Sequence, residues 1–101
     1  MPINLSECHT ILDKMLNETD KLYIQLNGAG SFHDSLGRWI RNTWGLWDEN
    51  SDLYKYFKVM GLWHADDMSG LILESYKCYL DGKEFIIQTY VKNVQEYWKN
   101  N

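Results

Sequence analysis

The sole proline of this 101-residue chain is Pro2, so from Ile3 onward every residue keeps a backbone N–H that a helix can use. Glycine punctuates the rest. Gly28, Gly30, Gly45, Gly61 and Gly82 fall between segments whose apolar residues recur at three- and four-residue steps. No stretch alternates with period two for more than a few residues. The pattern predicts an all-α fold, a compact single-domain bundle of five or six short helices spanning residues 1–101.

The first expected helix is Leu5 to Leu16, capped by Asn4 with Glu7 three residues on, and facing inward through Leu5, Cys8, Leu12 and Met15. A shorter helix follows from Thr19 to Leu26, carrying Leu22, Tyr23 and Leu26. It stops at a positive-φ glycine, Gly28 or Gly30. The third, with Ser31 as cap, occupies "FHDSLGRWIRNTWGLW". Two adjacent faces are apolar there: Phe32, Leu36, Trp39 and Ile40 on one, His33, Gly37, Ile40 and Trp44 on the other. A helix apolar on two sides is expected at the centre of the fold. Gly37 inside it costs up to ~1 kcal/mol of helix propensity, a cost accepted where another backbone must come close.

After the "GLWDENS" turn, Asn50 or Ser51 caps a helix with Leu53, Phe57 and Met60. The next begins near Ala65, with Asp66 and Asp67 at the positive end of its dipole and His64 on its N-terminal flank. The last is expected from about Lys83 to Trp98, facing in through Ile87, Val91, Val94 and Trp98.

Five tryptophans are present. Fully buried, they would supply on the order of 20–25 kcal/mol of gross stabilisation, an upper bound. Trp39 and Trp44 read as core and Trp98 as closing the bundle. Trp47 and Trp63 lie in connections, each after a Gly–Leu step. They either pin those loops or act as binding anchors, because interface hot spots favour Trp, Tyr and Arg. Arg38, Trp47, Trp63, Tyr54 and Tyr56 are therefore the candidate partner-binding residues.

A polar group of His33, Arg41, Asn42, Asp66, Asp67 and Ser69 is the second candidate. Arg38 and Arg41 are the chain's two arginines, its sole planar forks for bidentate grip of a carboxylate. On one reading Arg41 bridges its helix to "DDMSG", with Asp67 capping or pairing, Asn42 bonding a carbonyl of the "GLW" turn and His33 donating to a neighbour. On the other, an arginine binds an anion in a shallow pocket with His33 as acid–base group.

Several classes are disfavoured. A net charge of -4 argues against nucleic acid, which needs a basic face. No run of about 18 apolar residues suggests a membrane span. The N-terminus lacks a signal-peptide pattern, so a cytoplasmic location is expected, with Cys8 and Cys78 as free thiols. His9, His33 and His64 are dispersed, and no HxxxH or CxxC spacing suggests a metal. No cofactor is expected.

From Phe32 onward the chain resembles a family of small bacterial proteins described as a domain of unknown function. Its signature reads approximately FHxxLGxWIRNxxGLW, then LxxYFxxLGIxHPDDMSGIILxSYHRYL. The matching segments are "FHDSLGRWIRNTWGLW" and "LYKYFKVMGLWHADDMSGLILESYKCYL". Ala65 stands in place of the signature proline, and Lys77 and Cys78 in place of a histidine–arginine pair. The resemblance implies one compact domain and no particular activity. Composition and class-level analogy add an expectation: a non-enzymatic protein-binding module, of inhibitor or immunity type, blocking a partner such as a basic toxin or nuclease. A homodimer shares these features. The alternatives are a small-ligand or anion binder, or an enzyme, using His33, Arg41 and Asp67, and a phage or mobile-element inhibitor of a host defence protein.

Overall fold

Every helix whose cap was expected to be Asn or Ser after residue 1 and before residue 52 starts with a side chain satisfying its first free amides, with one exception at Ser31. In this computed structural model, which describes residues 1–100, α1 runs Leu5–Met15. Asn4 accepts from the Glu7 N–H at 2.9 Å. The Glu7 carboxylate reaches past Asn4 to the Ile3 N–H at 3.2 Å, so the reciprocal half of the capping box is displaced by one residue. α2 (Glu18–Asn27) has a complete box between Asn17 and Asp20 and ends at Gly28, whose φ of 83° only glycine takes readily. α4 (Asp52–Val59) is capped by Ser51, and α5 (Ala65–Leu80) by His64. α6 covers Ile87–Asn100. Among the described residues there is no strand. The Cα radius of gyration is 13.0 Å, the value of about 13 Å expected for a compact chain of this length.

The third segment departs from expectation. It is one continuous right-handed coil that changes pitch: a tight 3-10 turn at Ala29–Phe32, a wide π turn at His33–Gly37, then α3 at Arg38–Thr43. Ser31 does not cap it; its hydroxyl donates to the Gly28 carbonyl at 2.8 Å. A π turn inserts one residue, which rotates everything downstream by about 100° relative to a uniform α-helix. The consequence is visible in what points inward. Ile40, Arg41 and Trp44 are buried, while Trp39 is turned out to 39% exposure, leaning edge-on against Trp44. Trp39 is thus not core. Gly37 is needed because a Cβ there would sit 3.1 Å from Arg41 Nη1 and 3.6 Å from the Leu73 side chain.

The centre of the fold is α5, not the third segment. α5 touches every other element. Ala65, Met68, Ser69, Leu71, Ile72, Leu73, Ser75 and Tyr76 are all buried on it. Leu5, Cys8 and Leu12 of α1, Ile24 of α2 and Leu53 and Phe57 of α4 complete the core around it. The inward face expected for α2 is wrong, since Leu22, Tyr23 and Leu26 are exposed and Ile24 is the buried residue. α6 begins four residues later than its periodicity suggested. Residues 83–86 form no helix, and Phe85 packs against the core beside Tyr90.

Buried polar groups are fully accounted for: among the described residues, no buried side-chain nitrogen or oxygen lacks a hydrogen-bond partner. His9 Nε2 meets Ser75 Oγ at 2.8 Å, and Ser75 Oγ donates to the Ile72 carbonyl. Burial holds His9 below the usual imidazole range. Both cysteines are free thiols. Burial, reinforced by Glu7, pushes the Cys8 thiol up to about 12.

These placements separate residues that look alike in the sequence. Trp44→Ala should cost about 3–5 kcal/mol in chemical denaturation, and the half-exposed Trp39→Ala no more than about 1–2 kcal/mol. Comparable costs would mean the π turn is misplaced. His9 gives a second check. It protonates less readily when folded than when unfolded, so stability falls as pH drops below about 6.5, the unfolded value. The thermal midpoint of His9→Gln should therefore decline less than wild type between pH 7.5 and 5.5.

Candidate functional site

The π turn leaves a charged side chain in the interior, and its partners determine what this part of the molecule can do. Arg41 is 6% exposed. Its Nε lies 3.3 Å from Asp66 Oδ1, its Nη1 donates to Ser69 Oγ at 2.9 Å, and its Nη2 reaches the His33 carbonyl at 3.5 Å. Ser69 Oγ in turn donates to the Asp66 carbonyl. A planar guanidinium thus ties α3, the π turn and the first turn of α5 together, a geometry that an ammonium cannot reproduce. Asp66 is the aspartate of this tie.

Asp67, expected to cap or pair with Arg41, points the other way, toward α6. Its Oδ2 accepts from Trp98 Nε1 at 2.7 Å and its carbonyl accepts from the Tyr90 hydroxyl at 3.2 Å. Gly70 makes room for that hydroxyl, since a Cβ there would lie 2.5 Å from Tyr90 Oη. Burial, then Asp67 and Glu74, holds the Tyr90 phenol above its ordinary range, so it is a donor rather than a base. Asn42 also differs from expectation. Its side-chain oxygen accepts from Trp47 Nε1 at 3.0 Å instead of its amide bonding a backbone carbonyl.

His64 sits between these two tryptophans. Its Nδ1 accepts from the Asp66 N–H at 3.0 Å, capping α5 and leaving Nε2 as the nitrogen that carries the proton in the neutral ring. Its ring stacks on Trp98 (centroids 5.6 Å apart, planes at 25°) and meets Trp47 edge-on at 6.1 Å. The three rings form a continuous aromatic strip at the surface. Trp47 is 59% exposed and Trp98 39%, and Trp63, next to His64 in the chain, is 45% exposed. Of the five tryptophans Trp44 alone is buried, so the core expected from indole rings is built mostly from aliphatic residues with Phe57 and Tyr76.

A pocket of about 440 Å³ is lined by His33, Asp66, Asp67, Glu74 and Tyr90 with Gly70 and Leu73. Arg41 is buried and paired, and two of its partners, Asp66 and His33, line this pocket, while Trp47 and Trp63 are exposed. The remaining partner-binding candidates lie apart: Arg38 is exposed on α3, while Tyr54 and Tyr56 of α4 are half-buried against the core. The residues that sequence reasoning missed as part of this surface are Trp98, Tyr90 and Glu74. The first two come from α6, and their meeting with α5 rests on contacts between residues 23 and 31 positions apart, which local periodicity does not report. Among the described residues no group of three or more His, Cys, Asp or Glu side chains is arranged to hold a metal ion. No helix among them is long and apolar enough to cross a membrane.

The model of a protein family described as "Domain of unknown function (DUF6794)" matches residues 1–80, and the chain belongs to that family. The match includes α1 to α5 and ends before α6. No curated protein and no solved structure matches the chain.

Because three groups converge on one buried guanidinium, Arg41→Lys should cost about 2–4 kcal/mol, as a lysine leaves Ser69, Asp66 or the His33 carbonyl without its donor. Urea unfolding checks this, and a change below about 0.5 kcal/mol would remove the tie from the description.

Proposed function

We propose that this DUF6794 protein is a non-enzymatic protein-binding module of the cytoplasm, an inhibitor or immunity-type protein that blocks a partner. The observation that carries the reading is the surface strip of Trp47, His64 and Trp98. Large aromatic side chains left half in solvent are characteristic of interface anchors, and here each indole N–H is already spent on a side chain of its own molecule. Rings held in place before contact lose little conformational entropy on binding. Trp63, next to His64 in the chain, is also exposed, as is Arg38 on α3, whereas Tyr54 and Tyr56 are half-buried against the core. The chain's charge of -4 favours fast encounter with a basic partner such as a toxin or nuclease. An inhibitor of a host defence protein carried by a phage or mobile element has the same physical requirements.

One observation favours a second reading, a small-ligand protein. The pocket beside Asp66 has the size of ligand sites, roughly 300–1,000 Å³. Its lining carboxylates suit a cationic ligand better than the anion that the arginines first suggest, because the Arg41 donors are engaged internally.

The test begins with affinity capture from the native host and identification of the captured protein. Titration calorimetry then compares variants against that protein. Trp47→Ala and Trp63→Ala should each weaken binding by about 10-fold or more, the size of an anchor contribution, with far-UV circular dichroism unchanged. Full retention of affinity in both variants would remove this face from the interface. Tight binding of a polyamine with no protein partner would favour the small-ligand reading.

A further inference from the structure

We infer that the partner places an arginine side chain on the strip formed by Trp47, His64 and Trp98; this rests on the protein-binding reading above. Trp47 Nε1 is used by Asn42 and Trp98 Nε1 by Asp67, so neither indole has a free N–H; both rings are partly exposed, with Trp98 stacked on His64 and in T-shaped contact with Tyr97. Among the polar groups beside the rings, the Asp66 and Asp67 carboxylates are acceptors, while His64 Nε2–H and the Asn42 amide are donors. Asp66 Oδ2 lies 3.9 Å from His64 Nδ1, and the Asp66 and His64 side chains are 47% and 38% exposed. Asp67, on the far side of Trp98, adds a second carboxylate.

A surface of π faces edged by carboxylate oxygens suits a flat, permanently charged group that has several N–H donors. The guanidinium has that description: it stacks on aromatic faces and bonds carboxylates along its edge. A lysine ammonium has the charge without the plane. Phosphate-bearing partners are repelled by Asp66 and Asp67. Arg41 contacts Asp66 from inside through Nε to Oδ1, which leaves Oδ2 on the His64 side. An incoming arginine can therefore share Asp66 without displacing the internal tie.

Short peptides of alternating arginine and glycine, with lysine and citrulline counterparts, are the probes. They are titrated into the full chain at physiological salt, and the tryptophan indole N–H signals are followed by NMR. The arginine peptide is expected to shift the Trp47 and Trp98 signals and leave Trp44 in place. It should bind at least about 10-fold tighter than the lysine peptide, and the citrulline peptide should leave the spectrum unchanged. Trp47→Ala should reduce binding about 10-fold. Trp98→Phe keeps a stacking ring while removing the bond to Asp67 and should retain part of the affinity, provided its thermal midpoint shows the fold intact. Equal binding of arginine and lysine peptides, or shifts confined to residues away from the strip, would overturn the inference. If the native partner depends on Trp47 but the arginine peptide does not compete with it, the module reading stands and this inference falls. If the peptide occupies the strip while strip variants leave partner affinity unchanged, the site stands and the module reading loses this face.

Discussion

A guanidinium taken out of water must be met by acceptors from several directions, and in this fold that requirement organises the region around the third segment. Arg41 is buried because the π turn at His33–Gly37 rotates α3, and it is tolerated because Asp66, Ser69 and the His33 carbonyl surround it. Asp66 stays half-exposed, so one end of the ion pair remains hydrated and the desolvation cost is smaller than for a fully buried pair. The gain is positional more than energetic. Three chain segments that local propensity leaves independent are fixed relative to one another.

The surface features follow from that fixed point. With the first turn of α5 held by Arg41, His64 caps it through Nδ1, and the ring is thereby oriented to lie between Trp47 and Trp98. Asp67, the residue after Asp66, is freed to hold α6 through Trp98 and Tyr90. One pair of adjacent aspartates therefore serves two directions, inward to Arg41 and outward to α6. The family match ends at residue 80, so the helix that supplies Trp98 lies outside the matched region while its anchor, Asp67, lies inside it. Tryptophans 47, 63 and 98 remain in solvent although Leu53, Phe57, Met68 and Tyr76 close the core without them.

Much of this was legible in the sequence because it is set within a few residues. Asn4 and Ser51 are caps that act across three positions, and Leu5, Cys8 and Leu12 of α1 and Leu53 and Phe57 of α4 obey the 3.6-residue period, although Met15, expected inward, is exposed at the end of α1. The pairing of Arg41 with the "DDMSG" start was also legible, from the scarcity of forked cations. What escaped depends on pitch and on distant contacts. Assuming a uniform α-helix from Phe32 turned Trp39 inward, whereas a single inserted residue at the π turn exchanges Trp39 for Arg41. Which of two adjacent aspartates meets Arg41 depends on the same rotation. The start of α6 differs because residues 83–86 have helix-compatible types but stay outside the helix, with Phe85 packed against the core.

The tie between Arg41 and Asp66 is the contact on which the placement of the strip depends, and a double-mutant cycle addresses it directly. Stability is measured by urea denaturation for wild type, Arg41→Met, Asp66→Asn and the double variant. Residues that share one buried charge contact are coupled, so a coupling of about 1 kcal/mol or more is expected, with the double variant less destabilised than the two single costs together. Additivity within about 0.3 kcal/mol would mean that Arg41 and Asp66 act independently, and that something other than their ion pair holds the start of α5 in place.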